Sequence, residues 1–333
     1  LVSETAAFEF VTTPSIVFGP GALERLGELA ARHGRRAWLV TGAGSLERNG
    51  TLERVIALLR AHGVSLARQS VASEPDTTTV DRGSRGALEA GCDSVIAIGG
   101  GSVLDTAKAV ASLMTNRGEA LDYLEVVGRG KKIAKPSAPW IAIPTTAGTG
   151  SEATRNAVLG DAVSGVKASI RHESLLPRLA LLDPDLTLTV PPNVTAWSGL
   201  DALTQLIEPY DSRRSNPMID ALALSGIHRA ARALPRAYAD GTDREARAEM
   251  MLAASWSGMA LAHCGLGAAH AFAGPLGGSF PIPHGVACAS TIVHVMRANL
   301  RVAQRGSASE TVRRYAEVAR AMESITGTND LAG

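Results

Sequence analysis

Two stretches of this chain carry side chains that could hold a divalent ion: residues 201–208 (DALTQLIE) and 263–287 (HCGLGAAHAFAGPLGGSFPIPHGVA). The first sets a carboxylate, Asp201, and a carboxamide, Gln205, four positions apart, which on a helix stacks them on one face. The second offers His270 and His284, the latter presented by a Pro283-His284-Gly285 turn. Oxygen and imidazole donors suit hard to borderline divalent metals, so Asp201, His270, His284 and a fourth group could together form one tetrahedral site. Taken alone, an Asp/Gln pair at this spacing is more often a solvated helix face or a cap.

The surrounding composition narrows the function class. The chain has 333 residues, 45% hydrophobic, 20% charged and 4% aromatic, enough for two well-cored domains. Its 33 basic and 32 acidic residues nearly cancel, and no basic patch points to nucleic acid. Cys92, Cys264 and Cys288 share no CxxC spacing, so neither a disulfide framework nor a zinc ribbon is indicated. No apolar run approaches about twenty residues, and the N-terminal LVSETAAFEF lacks a signal-peptide pattern, so no membrane association is expected and the cytoplasm is the default. The chain starts at Leu rather than Met and stops at Gly333, which leaves room for an incomplete end on either side.

Strand-like and helix-like segments alternate through the first half. Residues 15–18, 37–41, 64–71, 94–98 and 140–143 read as strands, with helical patterns over 51–62, 77–90 and 103–114 between them. That alternation predicts a parallel sheet covered on both faces, a Rossmann-like α/β fold. After Pro191-Pro192 the pattern becomes Ala/Leu/Arg-rich and helical throughout. The reading is therefore an α/β dinucleotide-binding domain over 1–187 and an all-helical metal and substrate domain over 188–333.

Open α/β sheets bind ligands beyond the carboxyl ends of their strands. Three loops occupy that position. Gly99-Gly100-Gly101-Ser102 lets backbone N–H groups approach a pyrophosphate at a helix N-terminus, with Asp105 expected in that helix's first turn. Thr145, Thr146, Thr149 and Ser151 crowd hydroxyls into a second loop, and residues 42–45 (GAGS) follow the second strand. None matches GxGxxG or a Walker motif, and each alone reads as an ordinary turn.

Taken as a set, GGGSVLDTAKA (99–109), AIPTTAGTGSEAT (142–154), GLDALTQLIE (199–208) and GLGAAHAFAGPLGG…PHG (265–285) resemble the iron-containing (group III) alcohol dehydrogenase family. The likeness is collinear from about residue 15 to at least 319. It implies a dehydroquinate synthase-like superfold with a cleft between domains, where hydride passes between NAD(P) and an alcohol carbon. Cofactor contacts then fall on Gly42, Ser45, Gly99, Gly100, Gly101, Ser102, Asp105, Thr145, Thr146, Thr154, Lys167 and Leu182. The metal, Fe²⁺ or Zn²⁺, falls on Asp201, Gln205, His270 and His284, of which Asp201, His270 and His284 are the catalytic set. A homodimer acting on a small alcohol, aldehyde or oxo-acid is also implied.

The chain departs from the family at three places. Gln205 stands where an imidazole is usual, which weakens the site for Fe²⁺ or Zn²⁺. Gly274 stands where a second histidine usually serves proton transfer, with His263 and Cys264 as nearby substitutes or simply a packed helix end. Gly42 stands where NAD-preferring members carry an aspartate on the adenosine 2′-OH; without it, backbone N–H groups, Ser45 and Arg48 can take a 2′-phosphate, so NADP is favoured over NAD. The alternative is a metal-independent oxo-acid reductase resembling maleylacetate reductase, with Lys167, Arg155, Arg171 or His172 on a substrate carboxylate. A lyase resembling dehydroquinate synthase and a non-enzymatic nucleotide binder complete the readings.

Overall fold

The computed structural model describes residues 7–72, 74–161, 163–280, 282–306 and 309–323. The chain divides into two compact units: an α/β unit of Thr13–Thr146 and Ser151–Thr187, and a helical unit of Leu1–Thr12, Ala147–Gly150 and Leu188–Gly333. The main switch falls between Thr187 and Leu188. A single cut there does not provide for the two short excursions, 1–12 and 147–150, which group with the helices. Gly150 explains the second: a Cβ on it would lie 2.4 Å from the Ala254 carbonyl oxygen and 2.5 Å from the Gly258 nitrogen.

In the α/β unit the strands are β1 (Ile16–Phe18), β2 (Arg36–Gly42), β3 (Ser65–Val71), β4 (Ser94–Gly99), β5 (Trp140–Pro144), β6 (Asn156–Gly160), β7 (Lys167–Arg171) and β8 (Leu179–Leu182). Six of them form one sheet in the order β1-β8-β5-β4-β2-β3, every pair parallel. The helices here are α1 (Leu26–Ala30), α2 (Ser45–Arg48), α3 (Thr51–Ala61), α4 (Thr77–Glu89), α5 (Gly101–Thr115) and α6 (Ala120–Tyr123). The two-residue period of a strand sorts the core into two layers. Trp38, Val40, Val95, Ala97, Trp140 and Ala142 pack with α4 and α5. Ala37, Leu39, Ile96, Ile98, Ile141 and Ile143 pack with α1 and α3. β6 and β7 stand apart as an antiparallel pair.

The helical unit comprises α7 (Pro192–Tyr210), α8 (Pro217–Ala239), α9 (Arg244–Cys264), α10 (Ala268–Ser279), α11 (His284–Arg305) and α12 (Ser309–Glu323). Pro at N1 starts α7 and α8. Asn216 caps α8 by accepting from the Met218 and Ile219 N–H groups, and Asp243 caps α9 through the Ala246 N–H. One core joins Leu206, Ile207 and Tyr210 of α7, Ile227 and Leu234 of α8, Met250 of α9 and Tyr315 and Val318 of α12. No helix among the described residues is long and apolar enough to cross a membrane.

Candidate active site

The buried middle of α7 carries Asp201, Gln205 and Glu208, which lie on one face as residues i, i+4 and i+7 must. α10 brings His270 to this face and the start of α11 brings His284. Two glycines permit the approach. A Cβ on Gly285 would sit 2.0 Å from the Trp197 carbonyl oxygen, so only glycine lets α11 begin against the α7 backbone. A Cβ on Gly267 would sit 2.8 Å from Glu208 Oε1, in the space that carboxylate uses to reach α10.

His270 Nε2 lies 3.3 Å from Asp201 Oδ1, and His284 Nε2 lies 3.8 Å from the same oxygen. The sequence reading missed two members of the group. Glu208 accepts from the Ala269 N–H at 2.7 Å and from His270 Nδ1 at 2.6 Å. That contact makes Nδ1 the donor and aims Nε2 at Asp201, the usual way a carboxylate orients a metal-binding histidine. Cys288, fully buried on α11, has its Sγ 3.6 Å from His284 Nε2. One donor atom each from Asp201, His270, His284 and Cys288 lies within 4.8 Å of the others. The signal for both was present: Glu208 follows Asp201 by seven residues, and Cys288 follows His284 by four.

Gln205 is beside Asp201 but differently turned than a ligand requires. Its Nε2 donates to Asp201 Oδ2 at 3.3 Å and to the Gly148 carbonyl oxygen at 3.4 Å. Both neighbours are acceptors, so the amide nitrogen must face them. Burial depresses the His270 imidazolium, but hydrogen bonds to Asp201, Cys288 and Glu208 outweigh it and hold the pKa up at about 11. Burial raises the Cys288 thiol. The cluster thus demands a positive charge at its centre, which a proton or a metal ion supplies. His263 is not available as a proton carrier: its Nδ1 bonds the Met259 carbonyl at 2.7 Å, its Nε2 accepts from the Val11 N–H at 3.0 Å, and its ring stacks on Phe10. Cys264 is buried with Sγ on the Arg214 carbonyl, so both residues pack a helix end.

In the α/β unit, most of the expected cofactor residues gather on one edge. Gly42, Gly99 and Leu182 end β2, β4 and β8, and Thr145 and Thr146 follow β5. All four strands are neighbours and parallel, so these are carboxyl ends on the same side. Gly100 precedes α5, no side chain caps that helix, and a Cβ on Gly100 would come 3.3 Å from Thr146 Oγ1. Gly101 and Ser102 form its first turn. Ser45 opens α2 and is exposed, as is Arg48.

Three residues sit elsewhere. Asp105 lies beyond the first turn of α5, and its carboxylate is occupied, accepting from Ser151 Oγ at 2.6 Å and the Val158 N–H at 3.0 Å. Thr154 is buried and accepts from Lys108 Nζ at 2.6 Å. Lys108, which the sequence reading passed over, also donates to the Asn156 carbonyl at 2.8 Å and pairs with Asp105 at 3.5 Å. It is the buried tie between α5 and the loop after β5. Lys167 lies on β7 and pairs with Glu74. The cations considered for a substrate carboxylate are likewise engaged: Arg155 with Glu173, Arg171 with Glu125 and His172 with Ser174.

Comparison with known proteins places this geometry. Residues 13–184 match the family model described as "Iron-containing alcohol dehydrogenase", and residues 195–332 match "Fe-containing alcohol dehydrogenase family, C-terminal". The chain belongs to the iron-containing alcohol dehydrogenase family. It is accordingly an oxidoreductase acting on CH–OH groups. It is 38% identical over 314 residues to the probable alcohol dehydrogenase EutG of Escherichia coli K12, covering 94% of this chain and 76% of that one. It is 40% identical over 294 residues to alcohol dehydrogenase 4 of Saccharomyces cerevisiae YJM789, covering 88% and 76%. The crystal structure of an archaeal halo-thermophilic Red Sea brine pool alcohol dehydrogenase superposes with a TM-score of 0.90 at 32% identity, covering 96% of this chain and 80% of that one. Membership in this iron-containing alcohol dehydrogenase family implies a nicotinamide cofactor and a metal.

Proposed function

We propose that this iron-family dehydrogenase interconverts a small alcohol and its aldehyde using NAD(P) and one divalent ion, Fe²⁺ or Zn²⁺. The α/β unit, within 1–187, takes the nucleotide, and the helical unit, within 188–333, takes the ion. The observation that carries the reading is the spacing of the donors. Tetrahedral bonds of about 2.0–2.3 Å put ligand atoms about 3.3–3.8 Å apart. Asp201 Oδ1 stands 3.3 Å from His270 Nε2 and 3.8 Å from His284 Nε2. When bound, the ion polarises the substrate oxygen as a Lewis acid and the nicotinamide exchanges the hydride.

The chain's own residues do the holding. Glu208 fixes the His270 tautomer and ring orientation. Gln205 restrains Asp201 Oδ2, leaving Oδ1 on the imidazole side. The uncapped N-terminus of α5 offers its backbone N–H groups and positive dipole end to a pyrophosphate over residues 99–102. Lys108 and Asp105 fasten the following loop through Thr154 and Ser151, so that Thr145 and Thr146 keep a fixed place along the cofactor. At the end of β2, Gly42 presents no carboxylate and Ser45 and Arg48 are exposed, which favours NADP. A cytoplasmic homodimer completes the reading on the family resemblance.

The test is aldehyde-dependent loss of NADPH absorbance by protein purified without affinity metal, followed by chelation and re-addition of Zn²⁺ or Fe²⁺. Activity should vanish with the chelator and return with the ion. No turnover across a panel of aldehydes and short ketones sinks the reading, and oxo-acid reduction that survives exhaustive chelation replaces it with the metal-independent one.

A further inference from the structure

We propose that the fourth protein donor to the ion is the Cys288 thiolate, and that Gln205 stands outside the coordination sphere as a hydrogen-bond donor to Asp201. The inference rests on the metal-site reading above and changes its chemistry. Cys288 Sγ lies 3.6 Å from His284 Nε2, inside the tetrahedral edge range of about 3.3–3.8 Å. With the two Asp201–imidazole distances of 3.3 and 3.8 Å, three edges of one tetrahedron are drawn by Asp201, His270, His284 and Cys288. The remaining edges lie within 4.8 Å.

The cause is local and readable. His284 and Cys288 are i, i+4 on α11, so the helix that delivers the imidazole delivers the sulfur one turn later on the same face. Cys288 is free, wholly buried and packed with Ala273 and Ala287, which fixes its position without tying its sulfur to a disulfide. Gln205 cannot serve at the same time. Its amide nitrogen is held by two acceptors, Asp201 Oδ2 and the Gly148 carbonyl, so turning the oxygen inward would set it against both. The imidazole missing at position 205 is therefore replaced from a different helix by a softer donor. As the ion enters, the thiol proton leaves to solvent and a metal–sulfur bond forms with no change of oxidation state. A thiolate among one carboxylate and two imidazoles shifts the site toward zinc and away from magnesium or manganese.

The experiment uses the full chain, stripped with a chelator and titrated with Co²⁺ alone. Wild type should bind one Co²⁺ per chain and develop a sulfur-to-cobalt charge-transfer band in the near ultraviolet. Cys288→Ser should lose that band and lower Zn²⁺ affinity by more than about 100-fold, beyond what loss of an outer partner does. Gln205→Ala should keep both the band and the stoichiometry. One Co²⁺ bound by wild type without the band overturns the thiolate while leaving the metal reading intact. So does a band that persists in Cys288→Ser. Absence of any bound Co²⁺ in wild type overturns both. The wild-type spectrum decides even where a variant folds poorly.

Discussion

Replacing Gly42 by Asp should turn the cofactor preference proposed above from NADP toward NAD. Gly42 ends β2 at the edge where the nucleotide is proposed to lie, and a Cβ there meets only Val103 Cγ2 at 3.8 Å, an ordinary contact. Charges of −1 and about −2 some 5 Å apart, at an effective dielectric of about 60–80, repel by about 1.7–2.2 kcal/mol, which weakens NADP by about 15- to 40-fold. A hydrogen bond from the ribose 2′-OH to the new carboxylate adds about 1 kcal/mol for NAD in this half-exposed position, about fivefold. The ratio of kcat/KM for NADP to that for NAD should therefore fall by about a hundredfold. It is measured with one alcohol at fixed ionic strength, since the repulsive part is screened by salt. Circular dichroism and melting should be nearly unchanged, because the added Cβ makes only an ordinary contact with Val103. A wild type that prefers NAD, or a ratio that moves less than about fivefold in the variant, refutes the placement of the 2′ position beside Gly42.

Lys108→Met should destabilise the α/β unit by about 2–4 kcal/mol, because the buried Thr154 hydroxyl and the half-buried Asn156 carbonyl lose their partner while the methionine refills the volume; chemical denaturation reads this, and a change below about 0.5 kcal/mol would mean the tie is not made. Glu208→Gln should leave the fold intact but weaken Zn²⁺ about 10–100-fold by freeing the His270 ring, as competition with a chromophoric chelator would show; unchanged affinity would contradict the orienting role. Burial pushes the Cys264 thiol up to about 11 from an ordinary value of 9.0. The folded protein then keeps this proton where the unfolded chain has lost it, so alkylation of Cys264 should keep rising from pH 9 toward about 11. Peptide mass spectrometry of iodoacetamide-treated native protein checks it, and a plateau near pH 9 contradicts it.

The strand and helix alternation of the first half, the switch to helices beyond residue 188 and the family motifs were all legible in the chain. They are local or periodic: Trp38 and Val40 face one layer and Leu39 the other because strand side chains alternate, whatever the partner strand. The i, i+4 pairing of Asp201 with Gln205 was equally local. What an isolated i, i+4 pair cannot reveal is which atom of each side chain points inward. Gln205 was expected to offer an oxygen, and two acceptors from separate parts of the chain, Gly148 and Asp201, turn its nitrogen toward them instead.

Only the tertiary structure decided who meets whom. Glu208 and Cys288 are marked along the chain only by their helical spacing from Asp201 and His284, and they join one site because Gly267 and Gly285 let α10 and α11 close on α7. Asp105 reads as a first-turn helix residue beside a nucleotide loop, and nothing in the sequence singles out Lys108; packing against residues 151–158 makes the first an acceptor for backbone and hydroxyl and buries the second completely. Sequence determines the types and spacing of donors along each helix. Their convergence depends on contacts across some 60 to 140 residues, such as Glu208 with His270 and Thr13 with Glu152, which spacing along the chain does not contain.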